Sequence, residues 1–334
     1  MRLTALVESE DHVCARYRLQ AFRPHLNAAG HALDLAALSK SWWQRLAVLR
    51  SHRDADIVVL QRKLLSRAEV AILRRNVRRL WFDMDDALWL RDSYSGKSFA
   101  SRKRRHRLQN IVRVAELVIA GNSYLAEQAK HLGAKATQII PTCVDVRRYP
   151  SARHERATAN LVWVGSSITL RGLEAIAPIL NAIGDRLPNA RLKLVCDRFF
   201  QPGRLPIVEC PWSEEREADE IAAADIGISW IPDDPWSRGK CGLKVLQYMA
   251  AGLPVVTNRV GVHAEMVVPG ETGFLASTET EWADAIATLA ADPDLRRRMG
   301  AAARALVEAR YSVEAGAALW RNLIEDRNAG RGSA

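Results

Sequence analysis

Short, mostly apolar runs recur along the chain: Leu3–Glu8, Asp56–Gln61, Leu80–Phe82, Leu117–Gly121, Leu161–Val164, Leu192–Cys196, Ile226–Ile231 and Val255–Thr257. They are too short for helices and mostly continuous, the pattern of strands buried on both faces of a parallel sheet. Ile207–Glu209 reads as a further strand. Between the runs the apolar positions fall at helical spacing. Helices are predicted from Arg16 to Ala29, Ser66 to Asn76, Ser101 to Ala115, Ser123 to His131, from about Thr169, Ala218 to Ala224, Trp282 to Ala291, Leu295 to Arg310 and Tyr311 to Arg327. Strand and helix alternate up to Ile139–Asp145. The composition turns polar over Ser151–Asn160, and the alternation restarts at Leu161. The expected fold class is α/β, with two Rossmann-like doubly wound domains facing a cleft. The boundaries expected are 1–152 and 153–310, with 311–334 as a terminal helix. No repeat of 20–50 residues is visible.

Composition narrows the picture. A length of 334 residues suits two domains, and 48% hydrophobic content supports two cores. No apolar run approaches the roughly 18 residues that span a bilayer. Met1–Glu10 reads as a strand and not as a cleavable leader, and only Ala329–Ala334 reads as disordered. Five scattered cysteines, Cys14, Cys143, Cys196, Cys210 and Cys241, show no paired spacing. They argue against a disulfide framework or zinc site and for a reducing cytoplasm. The net charge of +10 and pI near 9.7 call for an anionic partner: nucleic acid, a membrane face or an anionic substrate. The densest cluster is Arg102–Arg107, at the start of a predicted helix. Cations there oppose the helix dipole, so nothing local favours them. This points to a peripheral contact with an anionic membrane surface, the alternative being a solvated charge run. No zinc finger, heptad zipper or aromatic ribonucleoprotein motif accompanies the charge, so no nucleic acid is expected.

Three stretches carry candidate chemistry. Lys240–Asn258 (KCGLKVLQYMAAGLPVVTN) reads as a basic loop, a short helix with Leu243, Leu246, Gln247 and Ala250 at helical spacing, a Gly252–Pro254 stop, and a strand. It sets Lys240 and Lys244 near a helix N-terminus, where backbone donors and the dipole already favour an anion such as phosphate. The alternative is a surface unit with two solvated lysines. Asp83-Met84-Asp85-Asp86 follows a strand end, where open α/β sheets bind ligands. Such carboxylates suit Mg²⁺; they equally suit a capped turn. Arg16 and Arg18 follow the first strand, as contacts to a phosphate or as solvated residues. His263 reads as a surface loop histidine.

The run GLKVLQYMAAGLPVV, with Gly261, Glu265 and Gly270–Ala276 (GETGFLA), resembles the carboxyl half of the group 1, retaining, GT-B glycosyltransferases. The likeness is strongest over Leu161–Arg327, moderate over Leu117–Asp145 and weak before that. It implies a nucleotide-sugar donor, a cell-surface glycan or lipid-linked acceptor, no metal and no cofactor beyond the donor itself. Gly165, Ser166 and Ser167 fall on its donor loop and Arg171-Gly172 on its second cation–glycine pair. Gly242, Leu243, Gln247 and Glu265 fall on its donor-binding helix and loop. The phosphate-stabilising residues implied are Arg171 with Lys240 or Lys244, and Asp85 lies on the acceptor side. The family carries a glutamate at two positions occupied here by Gly239 and Gln247. The first contacts the donor sugar and the second the ribose. A neutral hydrogen bond contributes about 1 kcal/mol against about 1.5–3 for a charged one, so Gln247 should weaken ribose binding about tenfold. Two other readings stay open. One is an inactive nucleotide-sugar-binding protein. The other is a Mg²⁺-dependent phosphatase or GT-A-type enzyme using Asp83 and Asp85.

Overall fold

The computed structural model describes residues 1–156 and 159–329 and divides the chain into two compact units. The first comprises Met1–Cys143, Asp234–Cys241 and the segment from Val313; the second comprises Val144–Asp233 and Gly242–Ser312. The sequence expectations for 157–158 and 330–334, including most of the tail expected to be disordered, lie outside the described residues.

The first unit is a six-stranded parallel sheet. Its strands are β1 (Arg2–Val7), β2 (Ala32–Ala37), β3 (Ile57–Gln61), β4 (Leu80–Met84), β5 (Leu117–Ala120) and β6 (Thr137–Ile139), in the order β2-β1-β3-β4-β5-β6. Ala5 on β1 lies beside Leu35 and Val59. Its helices are α1 (Val13–Arg18), α2 (Arg23–Ala28), α3 (Trp42–Arg50), α4 (Arg67–Arg75), α5 (Arg102–Val114) and α6 (Ser123–His131).

The strands read as unbroken apolar runs because helices cover both faces. Val58, Leu60, Leu80, Phe82, Met84, Val118 and Ala120 join a core with α3 to α6. Their neighbours Ile57, Val59, Trp81, Leu117 and Ile119 point the other way, as the two-residue period of a strand requires. The helix expected over Arg16–Ala29 is broken: Leu19 leaves helical geometry at φ −135°, a short 3₁₀ turn follows, and α2 restarts with Pro24 in its first turn. Elsewhere caps set the boundaries. Ser66 and Glu69 form a reciprocal capping box on α4, and Asn122 caps α6.

The second unit repeats the plan. Its elements are β7 (Asn160–Val164), α7 (Ser167–Ala175), α8 (Ala177–Arg186), β8 (Arg191–Cys196), β9 (Ile207–Pro211), α9 (Glu217–Ala222), β10 (Ile226–Ser229), α10 (Leu243–Ala250), β11 (Val255–Thr257), α11 (His263–Met266), β12 (Gly273–Leu275), α12 (Glu279–Ala291) and α13 (Pro293–Arg310). The sheet is parallel in the order β12-β11-β10-β7-β8-β9. Pro178 at the start of α8 explains why α7 and α8 are two helices. Strand order reverses between β7 and β10, and the crevice outside the carboxyl ends of such strands is where doubly wound sheets take ligands.

The last helix, α14 (Val313–Ala329), belongs to the first unit. Trp320 stacks on Trp81 at 6.3 Å between ring centroids and lies 6.4 Å from Phe22.

Candidate functional site

The carboxyl end of β7, at the strand-order reversal, is where the predicted donor loop emerges. Val164 ends the strand and Gly165-Ser166 leads into α7. Thr169 folds the loop back on itself: its hydroxyl accepts from the Ser166 amide at 3.2 Å and donates to the Ser166 carbonyl at 3.1 Å. Lys244, in the first turn of α10, donates to the same Thr169 hydroxyl at 3.0 Å. The ammonium also lies 4.0 Å from the centroid of the Trp163 ring, a cation–π contact. A methyl at position 165 would collide with the Lys244 ammonium, the Trp163 ring and the Thr169 hydroxyl. The glycine is therefore required by the lysine above it. Gly165 and Ser166 are far from Lys244 in sequence, and the fold makes them one cationic corner.

Two packing contacts fix α10 there. The Tyr248 hydroxyl accepts from the Val164 amide at 2.9 Å, and the Tyr248 ring fills the space over Gly227 where any side chain would clash. Burial pushes the Tyr248 phenol well above its usual range. Gly242 caps α10 at φ +65°, a conformation that favours glycine.

Other predicted residues are placed differently. Ser167 gives its amide (2.6 Å) and hydroxyl (2.8 Å) to Asp197, whose carboxyl those bonds lower. A carboxylate therefore already occupies a donor at the start of α7. Arg171 is exposed on α7, two residues and so about 200° around the axis from Thr169. Glu265 is exposed on α11, and Leu243 opens α10. His263 is not a surface residue: it is buried, with Nδ1 2.6 Å from the Thr257 hydroxyl and Nε2 3.5 Å from that of Ser229. Burial, aided by the nearby Lys244 charge, depresses its pKa to about 4, so it is neutral at pH 7.

Gln247 is 3% exposed. Its amide nitrogen donates to Glu217 at 2.5 Å and to the Tyr149 hydroxyl at 3.2 Å. Glu217 carries no motif of its own; it lies 30 residues from Gln247 and is joined to it only by the fold.

Lys240 belongs to the first unit, four residues before Lys244 of the second. It pairs with Asp86 at 3.2 Å and lies 3.4 Å from the Trp236 ring centroid. The Lys240 loop is held on the first unit by Asn122, whose side chain donates to the Lys240 carbonyl at 3.0 Å, and by Ser93, which donates to Asp234 at 2.7 Å. Gly239 presses on Ala87: an added Cβ would lie 2.7 Å from the Ala87 nitrogen. No side chain fits there, which accounts for the missing glutamate.

The acidic cluster of the first unit is engaged by arginines. Arg18 is 2% exposed and corrects the reading of a solvated or phosphate-binding residue. Its guanidinium grips the fully buried Asp83 at 2.5–3.1 Å and donates to the Ile140 carbonyl at 3.0 Å. Gln61 donates to the same carboxylate at 3.1 Å. Asp83 is thus a buried ion-pair partner, and the metal-dependent reading loses one of its two carboxylates. Asp85 accepts from Arg62 at 2.6 Å, and Asp86 lies 3.5 Å from the same guanidinium. Burial raises the Asp85 carboxyl, but Arg62 and Arg18 more than offset this and hold it below the usual range. Arg62 takes the left-handed conformation at φ 57°, strained for a non-glycine residue. Among the described residues no group of three or more His, Cys, Asp or Glu is placed to hold a metal ion. No helix among them is long and apolar enough to cross a membrane.

Residues 235–306 match the family model described as glycosyl transferases group 1. Two curated relatives are D-inositol 3-phosphate glycosyltransferases. The one from Pseudarthrobacter chlorophenolicus is 28% identical over 63% of this chain and 56% of its own length; the one from Corynebacterium glutamicum is 29% identical over 43% and 38%. The chain thus spans about half or less of the length of these relatives. Among solved structures, sucrose-phosphate synthase from Thermosynechococcus elongatus superposes with a TM-score of 0.74 at 18% identity, covering 98% of this chain and 99% of its own. HepE from Anabaena, solved with UDP and glucose, gives 0.71 at 17% identity, covering 98% and 100%. At these identities the likeness establishes the GT-B fold.

Proposed function

We propose that this chain, whose residues 235–306 match the group 1 glycosyltransferase model, transfers a sugar from a nucleotide-sugar donor to a glycan or lipid-linked acceptor, with retention and without a metal. The observation that carries this reading is the cationic corner at the end of β7, where the Lys244 ammonium stands over the bare backbone of Gly165 and bonds Thr169. A diphosphate needs such a pairing of fixed positive charge with close backbone approach. The departing nucleoside diphosphate gains charge in the transition state, and a preorganised ammonium stabilises it without reorganisation. Lys244 takes the main phosphate role, because Lys240 is already committed to Asp86 and Trp236. Ser166 and the Gly242–Leu243 start of α10 complete the phosphate side, while Ser167 is engaged by Asp197 and Arg171 lies on another face of α7. Gln247 meets the ribose and Glu265 the donor sugar. Asp85, held ionised by Arg62, serves the acceptor side.

The test is turnover. The protein is incubated in EDTA with sugar-nucleotides of differing base and candidate acceptors, and nucleoside diphosphate release is followed by chromatography. The reading predicts release with one donor and a loss of at least tenfold in kcat/KM for Lys244→Ala. Binding without release would favour the inactive nucleotide-sugar-binding protein; release only with Mg²⁺, dependent on Asp85, would favour the metal-dependent enzyme.

The acceptor reading includes an anionic membrane face. Arg102 to His106 at the start of α5 are exposed, and each basic residue near an anionic leaflet contributes about 1 kcal/mol. The exposed Trp42–Trp43 pair begins α3, and α3 and α5 start at the same carboxyl edge of the parallel sheet. Such rings favour the membrane interface. Co-sedimentation with phosphatidylserine vesicles should fall when Arg102, Lys103 and Arg105 are changed to Glu; unchanged sedimentation rejects the membrane contact.

A further inference from the structure

Position 247 holds an amide, yet a carboxylate stands beside it. Glu217, the first residue of α9, accepts from the Gln247 amide nitrogen at 2.5 Å through one oxygen and from the Trp212 indole N–H at 2.5 Å through the other. A carboxylate cannot donate, so the Glu217 bond also fixes which end of the Gln247 amide faces it. We infer that Glu217 supplies the hydroxyl-binding carboxylate of the nucleotide site, acting with Gln247 as one unit that grips the ribose diol. This rests on the nucleotide-sugar reading proposed above.

Three observations within the second unit lead here. First, an ionised carboxylate offers about four acceptor directions. The two bonds to Gln247 and Trp212 use two and leave two, the number a vicinal diol needs. Second, Gln247 follows Lys244 on α10 by three residues, close to one helical turn. A ligand with its phosphate at Lys244 therefore meets the Gln247–Glu217 pair next. Third, Trp212 is 43% exposed and tethered through its ring nitrogen, so it offers an aromatic face beyond the carboxylate. Cation, carboxylate and aromatic ring then follow in the order of phosphate, ribose and base. The tether also fixes the carboxylate: both oxygens are held before any ligand arrives, so little side-chain freedom is lost on binding.

The test compares UDP, GDP and ADP with their 2′,3′-dideoxy forms by titration calorimetry on the full chain. Charge-assisted bonds to the diol should make the ribose form that binds wild type about 10–100-fold tighter than its dideoxy form. Glu217→Gln should cut that ratio about tenfold while the dideoxy affinity stays constant. In the exchanged double variant E217Q/Q247E, one carboxylate and one amide again face each other, and the ratio should recover. Thermal melting of both variants separates folding from binding, because a merely structural role moves the melting temperature but not the ratio. A wild type that binds a ribonucleotide but keeps its ratio in Glu217→Gln overturns the assignment alone. A wild type that binds no nucleoside diphosphate overturns the nucleotide-sugar reading and this assignment with it.

Discussion

Asp83 offers a sharp test of how the first unit uses its acidic cluster. Changing it to Ala removes the only carboxylate that bonds the Arg18 guanidinium among the described residues and leaves just the more distant Asp85 charge, since Arg18 is 2% exposed and its Nε and Nη2 both bond Asp83. Breaking a buried pair by removing one partner costs about 3–5 kcal/mol, because an uncompensated charge is left behind. For a domain of this size each kcal/mol lowers the melting temperature by about 2–4 °C, so a fall of about 6–20 °C is expected. Replacing the pair together, Arg18→Met with Asp83→Leu, should recover most of the loss, because apolar residues of similar volume need no partner. Thermal unfolding followed by tryptophan fluorescence, in EDTA and in millimolar Mg²⁺, reads all three proteins. The expected melts are independent of Mg²⁺. The reasoning is refuted if Asp83→Ala melts like wild type in EDTA while wild type alone gains stability from Mg²⁺.

Three further outcomes follow from packing and protonation. Gly165→Ala should weaken nucleoside diphosphate binding at least tenfold in calorimetry, since the new methyl displaces the Lys244 ammonium. Gly239→Glu should lower the urea midpoint, at a cost of about 1–3 kcal/mol for overpacking against the Ala87 backbone, and should not raise turnover. His263 is depressed from its usual 6.5 to about 4, so the unfolded chain takes up its proton first as pH falls. Its contribution is complete above pH 6.5 and is lost on descending through 4, an effect of order 3 kcal/mol. Denaturation midpoints across that range should flatten in His263→Gln.

Much of the fold was legible because strand burial writes itself locally. Asp56–Gln61 and Leu80–Phe82 read as strands because both faces are covered, and α5 reads as a helix because Leu108, Ile111 and Val112 repeat at helical spacing. Lys244 was found through its place at a helix start. The residues that sequence reading missed act over distance. Asp83 meets Arg18 across 65 positions and Gln247 meets Glu217 across 30. His263 reads as a surface loop histidine, and only the packed Thr257 and Ser229 reveal that it is buried. Local signals also mislead where one residue interrupts a pattern, as Leu19 does in the first helical segment. Gly239 looked like a lost glutamate; its contact with Ala87 makes it a packing requirement instead.

The most direct test of the central claim is thermal shift in EDTA with a panel of nucleoside diphosphates, on wild type and Lys244→Ala. Ligand at one hundred times its dissociation constant stabilises by about 2.7 kcal/mol. The account predicts such a shift with one base for wild type, reduced to near zero at the same concentration for Lys244→Ala. Equal shifts in both proteins, or none in wild type, would contradict it.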